Sequence, residues 1–179
     1  MKKIILNFLH QYKKSLDDDI DINLLLSSAS LIEKTLNKEG KLIFVGNGGS
    51  AAMSSHVAVD FTKNAKIKSI NFNEPDLITC FANDYGYENW VTKALEFYAN
   101  ENDLVFLISS SGNSMNIVNA AKYCNTNNLS LITLSGFNDN NKLKELGDIN
   151  FWVDSKEYNI VEMTHHIILL LLVDVFINR

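Results

Sequence analysis

The sequence predicts an α/β protein in which helices cover both faces of a five-stranded parallel sheet. From Gly40 onwards, short apolar runs alternate with stretches of helical periodicity, which is the pattern of strand–helix–strand units. Those runs contain few polar residues, as expected of strands that are buried on both sides. With 179 residues, 46% of them apolar, the chain is long enough to form one such domain with a sizeable core.

Two helices are predicted ahead of the sheet. Apolar residues recur at helical spacing over residues 3–16, and a second helix is expected over residues 21–38. The prediction is a single domain, residues 1–179, made of an N-terminal helical hairpin (1–39) and a sheet core with a C-terminal helix (40–179). The two helices carry more apolar residues than one side of a small sheet needs, which predicts that part of their surface faces another subunit.

Strands and helices then alternate along the rest of the chain. The predicted strands are residues 41–45, 68–72, 104–108, 129–134 and 149–153. The predicted helices are residues 51–62, a short helix opened by Pro75, 88–99, 114–126, a short helix over 142–146, and 160–178.

Composition and charge exclude several classes of function. The chain has 16 basic and 21 acidic residues, whereas binding to the nucleic-acid backbone needs clustered Lys and Arg. Its two cysteines form no C-x-x-C motif, which is typical of a protein in a reducing compartment. The N-terminus lacks the apolar segment of a signal peptide, and the longest apolar run, residues 167–173, is too short to cross a bilayer. We expect a soluble, cytoplasmic protein that binds neither nucleic acid nor membrane.

The first chemical motif is a glycine loop, residues 46–50 (GNGGS), between a predicted strand and a predicted helix. Glycines allow the backbone to turn sharply and to approach a ligand, and the following helix presents free N–H groups to an anion. The alternative is a tight turn without a ligand. Three glycines in four residues exceed what a turn needs, so we favour ligand binding through Gly48, Gly49 and Ser50.

The second motif is a serine loop, residues 109–114 (SSSGNS), again between a strand and a helix. Serine hydroxyls donate hydrogen bonds to phosphate oxygens, and the helix macrodipole favours negative charge at this end. The alternative is that one serine caps the helix and the others are solvated. Because one cap explains only one serine, and because both loops leave the carboxyl ends of parallel strands, we predict a phosphate site here.

These motifs resemble the SIS (sugar isomerase) domain family, closest to its phosphoheptose isomerases. The resemblance rests on GNGGSAAMSSHVAVDF, on LISSSGNSMNIVNAAK, and on the segments FANDYGY and LITLSG. It implies a three-layer, flavodoxin-like sheet and a homotetramer with shared active sites. It also implies an isomerase that converts sedoheptulose 7-phosphate to a heptose 7-phosphate for lipopolysaccharide biosynthesis. Carried over by position, the phosphate-binding residues are Ser50, Ser109, Ser111 and Ser114, with Ser110 where the family often has Thr, and the substrate-contacting pair is Asn83 and Asp84.

Candidate acids and bases lie on two helices. His56 and Asp60 are four residues apart on the helix after the glycine loop, and Glu162 and His166 are four apart on the last helix, so each pair shares a helix face. An aldose–ketose isomerase must move a proton between neighbouring carbons, which needs such groups. The alternative is that each pair is a surface or core interaction. His165 and His10 are interpreted as structural.

The zinc site of the family is only partly matched. His56 matches a zinc ligand of the family, and Asp60 stands in place of its Glu. On the last helix, Val161 or Glu162 stands at the position of a Gln ligand. Leu169 or Leu170 stands at the position of a His ligand, and leucine cannot bind zinc. The metal is therefore left open, with His56 and Asp60 as the first candidate ligands.

Three functions follow from these motifs. The first is an aldose–ketose isomerase of a sugar phosphate, assembled as the homotetramer that the resemblance implies. The second is a non-catalytic SIS module that binds a sugar phosphate or a protein partner, which fits the loss of metal ligands. The third is a dinucleotide-dependent oxidoreductase, because residues 46–51 match the G-x-G-x-x-A pattern. No acidic residue follows at the expected strand end to bind a ribose, so the third function ranks last.

Overall fold

The computed structural model describes residues 1–179, and its sheet has five parallel strands in the order β2-β1-β3-β4-β5. This is the predicted α/β class and the strand order of flavodoxin-like folds. The strands are β1 (Leu42–Gly46), β2 (Ser69–Asn71), β3 (Leu104–Ser109), β4 (Ser130–Gly136) and β5 (Ile149–Val153). The helices are α1 (Lys2–Asp18), α2 (Ile22–Leu36), α3 (Gly49–Lys63), α4 (Pro75–Tyr85), α5 (Trp90–Tyr98), α6 (Met115–Thr126) and α7 (Tyr158–Ile177).

The alternation of side chains along each strand divides the core into two layers. In β1, Leu42 and Phe44 join a cluster of 19 buried apolar residues with α2, α3 and α7. Ile43 and Val45 point the other way, into a cluster of 16 buried apolar residues with α5 and α6. Both faces of the sheet are covered because its central strands β1 and β3 are buried along their whole length, which gives the three-layer architecture.

The two N-terminal helices differ in how much they bury. Asp21 caps α2 by accepting a hydrogen bond from the backbone N–H of Asn23 at 2.7 Å, and α2 packs on α7 and β5. In α1 only Ser15 is buried, where its hydroxyl lies 3.0 Å from that of Thr164 on α7. The apolar side chains of α1 are mostly exposed: Ile4, Ile5, Leu6, Phe8, Leu9 and Leu16.

The predicted short helix over residues 142–146 is wrong. The segment forms hydrogen-bonded turns because the buried side chain of Asn141 supplies bonds that a helix makes within its own backbone. Its Oδ1 accepts from the backbone N–H of Lys144 at 3.0 Å. The N–H of Leu143 donates to the carbonyl of Gly112 at 3.0 Å, which ties this segment to the serine loop.

Helix α7 is long and apolar enough to cross a membrane by length and composition alone. Eight of its residues are buried in this fold, including Ile168, Leu169 and Leu172 in the layer below the sheet. This burial accounts for its apolar composition, as in the core helix of a soluble protein.

Candidate active site

The glycine and serine loops meet at one edge of the sheet. Strands β1 and β3 are hydrogen-bonded neighbours, with Gly46 paired to Ile108 in the register. After them, α3 packs in the layer with α7, and α6 packs in the opposite layer with α5. The strand order reverses at this point, and open α/β sheets bind ligands in the crevice that such a reversal creates.

The serine loop leaves the start of α6 open to a ligand. Ser114 is the N-cap residue, yet its side chain caps no backbone N–H. Its hydroxyl instead accepts a hydrogen bond from Ser109 Oγ at 3.2 Å. Gly112 has a φ of +64°, which a residue with a side chain rarely adopts. The alternative in which one serine simply caps the helix is therefore wrong, and the N–H groups of the first turn are left to a ligand.

A cavity of about 110 Å³ lies between the two loops and α7. Because a water molecule takes up about 30 Å³ in the liquid, this volume suits an anion of the size of phosphate, with the rest of a ligand extending outwards. The cavity brings the five predicted serines and Glu162 together with two residues that sequence reasoning missed, Asn47 and Tyr158. Its wall consists of Asn47, Ser50, Ile108, Ser109, Ser110, Ser111, Ser114, Tyr158 and Glu162.

The glycine loop brings the Glu162 carboxylate against the start of α3. A Cβ atom at Gly49 would overlap that carboxylate, so a larger residue there would force the Glu162 side chain to turn away. Gly48 is the N-cap residue of α3, has a φ of +55°, and offers no side-chain cap. Negative charge is favoured at a helix N-terminus, which accounts for the position of Glu162.

An asparagine pair joins the two loops. Asn47 Nδ2 donates to Asn116 Oδ1 at 3.0 Å, and Asn116 Nδ2 donates to Asn47 Oδ1 at 2.9 Å. Tyr87, in the connection between α4 and α5, donates its hydroxyl to Asn47 Oδ1 at 3.1 Å. Asn116 is almost fully buried in the first turn of α6. The sequence carried no signal for this pair, because an asparagine in a loop or in the first turn of a helix is usually solvated.

The predicted acid–base residues form a row along α7 and α3. His166 lies one turn beyond Glu162 on α7, and its ring meets the His56 ring edge-on, with 5.0 Å between centroids. His56 Nε2 lies 3.2 Å from Asp60 Oδ2, and the His56 side chain is 53% exposed. The carboxylate of Asp60 favours the tautomer with the proton on Nε2, which leaves His56 Nδ1 free to accept a proton.

The surroundings of His166 keep it neutral at neutral pH. Burial lowers its pKa below the ordinary value of 6.5, and the neighbouring His56 lowers it further, while Asp60 opposes both effects. His165 is separate from this row: it is fully buried, and its Nε2–H donates to the carbonyl of Ser135 at 2.9 Å. His10 lies on the exposed face of α1.

Comparisons with known proteins show the family to which the chain belongs. The SIS domain family model matches residues 5–136. The chain belongs to the SIS domain family. The phosphoheptose isomerase of Cytophaga hutchinsonii is 34% identical over 151 residues, or 82% of this chain and 75% of the relative. That of Helicobacter pylori is 32% identical over 168 residues, or 90% and 86%. The structure of the Neisseria gonorrhoeae phosphoheptose isomerase superposes with a TM-score of 0.91 at 23% identity, over 98% of each chain.

Membership of the SIS domain family, on its phosphoheptose isomerase branch, confirms the resemblance drawn from the two loops. It favours the isomerase interpretation over the dinucleotide-binding alternative, which also leaves the serine loop without a role.

The zinc ion that the family resemblance implies does not fit the residues present. Val161 and Leu169, at the ligand-bearing stretch of the last helix, are fully buried in apolar surroundings. His56 and Asp60 are paired directly, and no group of three or more His, Cys, Asp or Glu side chains is arranged to hold a metal ion. A zinc site needs three or four such ligands, so we derive no step through zinc.

The predicted substrate-contacting pair lies outside the cavity of this chain. Asn83 and Asp84 are exposed in the last turn of α4, where Asn83 Nδ2 donates to Asp84 Oδ1 at 2.9 Å. Neither residue lines the cavity between the loops. Their contact with substrate stays a prediction.

Proposed function

We propose that this protein is an aldose–ketose isomerase that converts sedoheptulose 7-phosphate to D-glycero-D-manno-heptose 7-phosphate. One observation carries the proposal: two helix starts, five serines and a carboxylate converge on a cavity of about 110 Å³. Relatives at 32–34% identity that are phosphoheptose isomerases support the choice of substrate.

The cavity suits the phosphate end of the substrate. No Lys or Arg lines it, so hydroxyl groups, backbone N–H groups and two helix dipoles supply the attraction for the anion. Ser109, Ser111 and Ser114 are the principal donors, because they border the uncapped start of α6. This arrangement accommodates a phosphate in a protein with a formal net charge of −5.

The reacting carbons lie away from the phosphate, because the carbonyl of a 2-ketose 7-phosphate is at the opposite end of the carbon chain. Glu162 lines the phosphate cavity, and His166 lies about one turn, or roughly 5.4 Å, further along α7. His56 meets His166 there. We therefore assign the proton transfer to His56 and its neighbours, and the positioning of the sugar hydroxyls to Glu162.

The transfer moves protons only and needs no oxidant. His56 Nδ1 takes a proton from C1 and returns it to C2, while the hydroxyl proton passes from O1 to O2. Asp60 orients the imidazole and stabilises it when it is charged, and neutral His166 offers a hydrogen bond to the oxygen that gains charge.

Two substitutions test the two halves of the site separately. Ser111→Ala should raise KM by roughly 10–150-fold, since a hydrogen bond to a charged group is worth about 1.5–3 kcal/mol. Ser27→Ala, an exposed serine on α2, is its control. His56→Ala should lower kcat about 10²–10⁴-fold and leave phosphate binding intact. Turnover of sedoheptulose 7-phosphate that survives both changes contradicts the proposal.

A sugar-phosphate-binding module without catalysis is the second candidate. The apolar residues at the zinc positions of the last helix favour it, because the phosphate loops are retained without the metal ligands. Binding of sedoheptulose 7-phosphate that depends on Ser111, without any turnover, selects this function.

We further propose that the protein is a cytoplasmic homotetramer that supplies heptose for lipopolysaccharide biosynthesis. The exposed apolar side chains of α1, which bury almost nothing within the chain, support an interface between copies of this chain.

A further inference from the structure

We propose that Asn116 is a positioning residue that holds the amide of Asn47 so that it presents an N–H group to the sugar phosphate. Tyr87 assists from the connection between α4 and α5. The inference rests on the proposed function, since it assigns the cavity to a phosphorylated ligand.

Asn116 is a buried polar residue in the first turn of α6. Its side chain is only 2% exposed, and the other buried residues of α6 are all apolar. A buried amide without partners is strongly unfavourable, and asparagine is a poorer helix former than alanine. The reciprocal pair with Asn47, at 2.9 and 3.0 Å, is the feature that satisfies it.

The hydrogen bonds of the Asn47 side chain leave one N–H group free. Its Oδ1 accepts from Asn116 Nδ2 and from the Tyr87 hydroxyl, which uses both lone pairs. One of its two N–H groups donates to Asn116 Oδ1. The remaining N–H is the only polar group that the Asn47 side chain can still offer to the cavity it lines. Asn47 is therefore restricted to the role of donor, which suits an oxygen of a phosphate or of a sugar.

The pair of asparagines links the two loops. Asn116 lies two residues after Ser114 on α6, whereas Asn47 is part of the glycine loop. The pair thus links the serine loop to the glycine loop across 69 residues of chain. Losing it frees the Asn47 side chain to turn its oxygen towards an anionic ligand, which repels that ligand.

The experiment measures KM and kcat with sedoheptulose 7-phosphate for Asn116→Ala, Asn47→Ala and the double variant. We expect Asn116→Ala to raise KM about tenfold with kcat changed less than about threefold. In the Asn47→Ala background the same substitution should have no further effect on KM, because Asn116 acts through Asn47. Asn125→Ala is the control, since Asn125 is an exposed asparagine at the other end of α6 that bonds the carbonyl of Leu146.

Two outcomes overturn the proposal: an unchanged KM in folded Asn116→Ala, or equal effects of that substitution in both backgrounds. If Asn116→Ala does not fold, Tyr87→Phe decides the matter, since it removes one exposed hydroxyl and should raise KM about threefold. If the wild type shows no turnover, the proposed function fails. The dissociation constant of inorganic phosphate, measured by calorimetry, then replaces KM, and an equal value in wild type and Asn116→Ala overturns the role of Asn116.

Discussion

His165 makes the folding stability of this protein depend on pH within a defined window. Burial lowers its pKa from 6.5 to about 4, and the hydrogen bond to the Ser135 carbonyl partly opposes that shift. Because the pKa is lower in the folded state, the stabilisation is complete above pH 6.5 and is lost as the pH falls towards 4. The full shift corresponds to about 3 kcal/mol, of which about 2 kcal/mol is lost by pH 5.

Urea unfolding at pH 7 and pH 5 measures this term. The free energy of unfolding of the wild type should fall, relative to that of His165→Gln, by about 2 kcal/mol between the two pH values, or about 1 M in urea midpoint. The contribution of His166 cancels because both proteins contain it. His10→Gln, on the exposed face of α1, should track the wild type at both pH values. A parallel decline of wild type and His165→Gln would refute the argument from burial.

Three further outcomes are expected. Gly49→Ala should change the free energy of unfolding by less than about 1 kcal/mol, because the Glu162 carboxylate that its Cβ meets is the end of a flexible side chain and can turn away; a loss above about 3 kcal/mol in urea unfolding contradicts this explanation. Elemental analysis should find no stoichiometric zinc in the purified protein, since Leu169 is a core residue. One zinc per chain that is lost in His56→Ala would contradict this prediction. Light scattering should give the mass of four 20.2 kDa chains. The Ile5→Asp variant, changed at a 54% exposed position, should give a smaller species, whereas a monomeric wild type refutes the interface.

The strands were predictable because their signal is local. All five expected runs overlap the observed strands and β5 matches residue for residue, although β1, β3 and β4 extend one or two residues further. A continuous apolar run between polar turns is typical of a buried strand. The prediction of a short helix over residues 142–146 was wrong because the backbone of this segment bonds to the Asn141 side chain and to Gly112, partners that lie outside the segment.

In the candidate site, too, local features were predictable and contacts between distant segments were not. The serine loop was predictable because several hydroxyls at a strand end are unusual in any other role. The link between Asn47 and Asn116 was not, because each asparagine resembles a solvated one until the two segments are brought together. Nothing in the sequence marked Tyr158 as a site residue, because it lies in an apolar helix. Only the packing of α7 places it on the cavity.

The sequence by itself determined the α/β class, the glycine and serine loops and the mismatch at the zinc positions, because each depends on residue type and on spacing along a single segment. The tertiary structure decided which side chains share a site. It joined Glu162 to the start of α3, set His56 against His166, and kept His165 in the core although it is next to His166 in the chain. The physical reason is that the direction of a side chain depends on the packing of its helix, and neighbours on a helix point about 100° apart.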